Sequence, residues 1–173
     1  MHARFKPLFA TILFLFALLP ATAHAQITVA FYSHELGSSF PHAFIVLKGT
    51  PLAGGAPVDI NFGFTARSVT PAVLMGPVFG KIEAANPAYV RHSDRKFAFM
   101  ISDQQFATLM ALVEKWRTLP GKSYDLNHRN CIHFVGEAAQ ALGLKVMFDQ
   151  KLIKRPRSFL ENIIRLNPML VSR

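Results

Sequence analysis

The chain holds a single cysteine, Cys131, directly after Asn130. Cysteine does covalent chemistry as the thiolate, so its surroundings decide whether it reacts. Asparagine is a strong helix N-cap, which makes Cys131 the first residue of a helix. Unpaired N–H groups and the positive dipole end favour a negative sulfur there, and the same groups can hold a developing oxyanion. The competing reading is a small, inert core residue. A base for the thiol must come from elsewhere in the fold. After residue 25 the histidines are His34, His42, His92, His128 and His133. His133 stands two positions past Cys131, about 200° around a helix, and His128 precedes that helix in a loop. This geometry, with no second cysteine, argues against a zinc set of His128, Cys131 and His133. His34 and His92 lie in loops without supporting pattern. His42 follows Pro41 and opens an apolar run to Leu47. A strand end is a rigid mount for a base.

A third polar group should orient the imidazole. In residues 58–64, Val58, Ile60, Phe62 and Phe64 alternate with Asp59, Asn61 and Gly63, the period of a strand. Asn61 is the first choice because it lies deeper in the strand; Asp59 is the alternative, and both fit a water-facing edge equally well.

The elements that must position these residues follow from periodicity. Strands are expected at 27–32, 42–47, 58–64 and 96–101, with a weaker one at 78–84. Residues 42–47 and 58–64 should pair as a hairpin with a long loop. Segments 66–77 and 86–94 carry proline and polar residues and suit loops. The period then changes. Ser102-Asp103-Gln104-Gln105 is a capping box, followed by Phe106, Leu109, Met110, Val113 and Trp116 at helical spacing. A second helix begins at Cys131, shares a face with Phe134, Val135, Ala138, Ala139 and Leu142, and stops at Gly143. A third is expected at 157–166, after Pro156. Strands first and helices later give an α+β class.

At the N-terminus, Arg4 and Lys6 precede an uncharged, largely apolar run at 8–19, and Ala23-His24-Ala25 offers small residues for cleavage. That order is a secretory signal peptide over 1–25, and the run is short for a membrane span of about 20 residues. A single domain at 26–173, secreted or periplasmic, is expected to follow. Removing Arg4 and Lys6 takes the 19 basic residues to 17 against 10 acidic ones. Seven of those bases and two acids lie from Lys145 onward, so a basic C-terminal tail is expected. It suits a solvated face or an anionic partner such as a membrane surface or cell-wall polymer, and nucleic acid is a poor partner for an exported chain. No cofactor motif is present.

The segment from Tyr124 through Leu126 to Asn130-Cys131-Ile132-His133-Phe134, leading into an alanine-rich helix to Gly143, resembles the Y-x-L…N-C-x-x-F pattern of circularly permuted papain-like enzymes. These belong to the NlpC-type superfamily, with its lecithin:retinol acyltransferase-like and PPPDE-like families. Pro41-His42-Ala43-Phe44-Ile45 is similar to their histidine strand. The resemblance implies an antiparallel sheet packed on the cysteine helix, with Cys131 as nucleophile, His42 as base and Asn61 or Asp59 as the third residue. Tyr124 would line the cleft or pack beside it. The reaction implied is acyl transfer through a thioester. For an exported chain, the first expectation is a cysteine peptidase or amidase on cell-wall peptides. The alternatives are a lipid-directed acyltransferase or phospholipase resting its basic tail on anionic lipid, and a non-enzymatic binding domain of the same fold.

Overall fold

The computed structural model describes residues 27–35 and 40–170. The signal peptide expected at 1–25 lies outside them. The architecture is α+β. Five strands, β1 (Ile27–His34), β2 (His42–Gly49), β3 (Val58–Ala66), β4 (Gly80–Glu83) and β5 (Asp94–Ile101), form one sheet in the order β4-β3-β2-β1-β5. Every neighbouring pair is antiparallel. The first four strands follow one another as a meander, and the chain then crosses back so that β5 closes the other side of β1.

Three helices cover one face: α3 (Asp103–Arg117), α4 (Cys131–Ala141) and α5 (Pro156–Leu166). The core between them joins Val29, Phe31, Ile45, Leu47 and Phe64 of the sheet to Phe134, Val135 and Phe159. The alternation in β3 puts Val58, Ile60, Phe62 and Phe64 on this side, as expected. Two shorter helices, α1 (Ala72–Met75) and α2 (Pro87–Arg91), fall in segments expected to be loops. In α2, Asn86 accepts the Tyr89 N–H and Pro87 fills the first turn, where its missing donor costs nothing. This short helix lies over the opposite face of the sheet, packing Tyr89 and Val90 on Phe44 and Val46.

The C-terminal basic segment is an integral part of the core. Phe159, Leu160 and Ile163 of α5 are fully buried. Arg157 pairs with Glu35 and Asp94, and Lys96 pairs with Glu161. The apolar side of α5 therefore faces the sheet.

Candidate active site

The ladder between β2 and β3 runs from Gly49↔Val58 to Ile45↔Phe62 and ends there. Beyond that point β2 continues back to His42, while β3 continues to Ala66 and pairs with β4. The two strands part, and the candidate site lies at this opening.

Cys131 reaches it from the helical side. As expected, Asn130 is the N-cap of α4 and Cys131 its first residue. The Asn130 Oδ1 accepts from Ile132 N–H at 2.8 Å, and its Nδ2 donates to the carbonyls of Leu126 at 2.8 Å and Ile153 at 2.7 Å. One buried amide thus caps the helix and ties two separate loops to its start. His133 completes a capping box with Asn130 and stacks its ring on Phe148. His128 is exposed beside Asp125, outside the cavity. Cys131 itself is 5% exposed and belongs to the main core cluster. Burial pushes its thiol up to about 11, against three backbone N–H groups, those of Ala43, Ile132 and Cys131 itself, that favour the thiolate. Loss of hydration outweighs these donors, so the resting group is a neutral thiol.

His42 reaches the same opening from the other side. Along β2 its parity is that of Phe44 and Val46, while Ala43 shares the core with Cys131. The imidazole stacks near the Phe44 ring, with centroids 6.1 Å apart, and lies across Gly63, where any Cβ would collide with Nε2. No hydrogen bond joins this ring to the thiol. The His42 pKa is lowered to about 4, first by burial and then by His34, its partner in the β1–β2 ladder, with Glu83 opposing both. His34 is itself held: Ser93 Oγ donates to the Tyr89 carbonyl at 2.7 Å, so the 3.0 Å contact with His34 Nδ1 is a bond that His34 donates.

The other expected residues sit elsewhere. Asn61 pairs with Val46, four positions along β2 from His42, about 13 Å at the rise of a strand. Its Nδ2 donates to the Ala85 carbonyl and its Oδ1 accepts the Ala85 N–H, which anchors the chain leaving β4. Asp59 is exposed and pairs with Lys48 at the far end of the strand. Glu83 is the carboxylate whose charge reaches His42, and sequence reading passed over it because nothing links β4 to β2 in the pattern of residues. Gly63, across from Glu83, gives the ring its space.

A cavity of about 940 Å³ joins the two sides of the opening. Cys131, His42, Asn130, Tyr124, Gly63 and Glu83 all border it. Tyr124 is half-buried, and burial together with the nearby Cys131 raises its phenol pKa. The outer walls are apolar and include Phe40, Val69 and Leu74. The arrangement can present a thiol, backbone donors and an imidazole to a ligand with a carbonyl group and an apolar portion. No family model, curated protein or solved structure matches the chain.

Proposed function

We propose that the protein is a thiol hydrolase of permuted papain-like type that cleaves an amide bond through a thioester on Cys131. The observation that carries this reading is the shared cavity, in which a helix-start thiol with backbone donors and an imidazole from the start of β2 border one space. In the reaction, His42 takes the thiol proton as Cys131 Sγ bonds to the carbonyl carbon. The oxyanion is held by the Ala43 and Cys131 N–H groups. The C–N bond then breaks, His42 returns the proton to the leaving amine, and water releases the acid and restores the thiol. A neutral imidazole and a neutral thiol can begin this sequence only when His42 turns from Phe44 toward the sulfur. There each group's charge stabilises the other's, raising the imidazole and lowering the thiol. Glu83, in place of Asn61 or Asp59, is the acid in electrostatic reach of the imidazole.

Export through residues 1–25 would bring the enzyme to cell-wall peptides, the first substrate class to test. The apolar outer wall favours a second reading, hydrolysis or transfer of a lipid acyl group. The experiment is a panel of peptide amides and acyl esters assayed with wild type, Cys131→Ala and His42→Gln, each checked for folding by circular dichroism. Loss of at least ~10³-fold in both variants is expected. Turnover that persists in Cys131→Ala overturns the proposal, and the preferred leaving group separates the two readings.

A further inference from the structure

Between β3 and β4 the chain makes an excursion at 67–79, closed by the Arg67 N–H donating to the Phe79 carbonyl at 2.7 Å. It is pinned inward at two places, by buried Val73 and by the bridge between Val78 and Tyr124. With the inside fixed, Val69, Leu74, Met75 and Phe79 are left outside, and Phe40 joins them from the connection before β2. These five side chains are 50% to 88% exposed. Three of them, Phe40, Val69 and Leu74, form the mouth of the cavity. Large apolar residues scattered singly on a surface mean little; a cluster around one opening marks a contact surface.

We propose that this rim docks on an anionic lipid bilayer, with the apolar side chains entering the acyl boundary. Charge selects this occupant. Between Asp59 and Glu83 the chain carries no carboxylate; Lys81 is paired with Glu83, which leaves Arg67 as the cation of the excursion. The Arg67 guanidinium lies 5.7 Å from the Phe79 ring centre, so a cation stands beside an apolar side chain of the rim. Lys154 borders the same cavity. Glu83 also borders the cavity but is paired with Lys81, so the apolar rim has Arg67 and Lys154 as its nearby cations, a match for the headgroup boundary of an anionic leaflet. The surface differs from the basic C-terminal segment, whose apolar side is already in the core. It does not depend on the chemistry assigned to Cys131.

The test uses the chain from Gln26, because the sheet, the helices and their core all lie after that residue. Vesicles of phosphatidylcholine with an equal part of phosphatidylglycerol are sedimented with protein at low salt. Wild type should pellet with these vesicles and much less with phosphatidylcholine alone. The double variant Leu74→Asp/Met75→Asp should bind at least ~10-fold more weakly, while Met100→Asp, exposed on β5 away from the rim, should bind as wild type. Phe40→Trp should show a blue-shifted emission on adding vesicles, since native Trp116 is buried and will not move. Failure of wild type to pellet overturns the proposal, as does unchanged binding of the double variant. A dimer of wild type in solution that the double variant breaks would assign the rim to a second copy of the chain instead. Cys131→Ala should bind vesicles as wild type, which separates this surface from the proposed catalysis.

Discussion

The Cys131 sulfur meets the N–H of Ala43, the His42 imidazole is carried by the residue just before Ala43 on β2, and both border one cavity. Ala43 is the hinge of this relationship. Its side chain joins the core with Cys131, its N–H faces the sulfur, and its neighbour carries the imidazole.

Alkylation kinetics read the thiol directly. With the resting group raised to about 11 by burial, the rate with iodoacetamide should climb through the alkaline range, above the ordinary free-cysteine value of about 8.5. If His42 serves as base, wild type should also show a slower component at neutral pH that is absent from His42→Gln. Identical profiles for the two proteins would remove His42 from the chemistry.

Gly63→Ala places a methyl group against His42 Nε2, with the Phe44 Cβ 3.3 Å away. The ring must leave its seat. Overpacking of this kind costs about 1–3 kcal/mol, readable in chemical denaturation. The His42 resonances in an NMR spectrum should shift while those of His133 stay, and any turnover dependent on His42 should change by ~10-fold or more. A spectrum identical to wild type would show that Gly63 does not seat the imidazole.

Asn130→Ala removes a cap, worth about 1 kcal/mol, and leaves the Leu126 and Ile153 carbonyls without their donor, at about 1 kcal/mol or more each. A loss of roughly 3 kcal/mol is expected by denaturation. Asn130→Asp keeps the acceptor for Ile132 N–H but sets a buried carboxylate oxygen against the Leu126 and Ile153 carbonyls, so it should not restore the stability of wild type. Equal stability of wild type and Asn130→Ala would contradict this account of the start of α4.

Stability should fall on acidification. The folded His42 pKa, about 4, lies below the unfolded value of about 6.5, so the unfolded chain takes up the proton first. The contribution is complete above the unfolded value and is lost as pH falls through the window between the two. His133, also lowered by burial, acts in the same direction. Denaturation midpoints measured across this window should drop for wild type and drop less for His42→Gln. In Glu83→Gln the opposing charge is gone, so an NMR titration should place His42 lower than in wild type; an unchanged or higher value would remove Glu83 from its electrostatic surroundings.

Much of this fold is legible along the chain, and the illegible parts share a cause. Asn130 declares the start of α4, Ser102 and Gln105 declare α3, and β3 alternates clearly because only one of its faces is in the core. Strand β2 hides its sidedness: Ala43, Ile45 and Leu47 are buried on one face and Phe44 and Val46 on the other. Without alternation, the sequence identifies His42 as the start of a strand but not the side to which its ring turns. Asn61 suits an orienting role by depth alone, yet its partner is Ala85, 24 residues along, and no local pattern announces that bond. The Asn86-Pro87 start of α2 carries a cap signal of its own; at five residues the helix is too short for periodicity to support it.

The donors around the sulfur come from the main chain, at the start of α4 and where β2 leaves β3. No exchange of side chains removes them, except a proline at one of those positions. Replacing the cysteine with serine would hand an alcohol the same main-chain donors. The side chain at position 131 can be exchanged, while the donors around it are fixed by the path of the backbone.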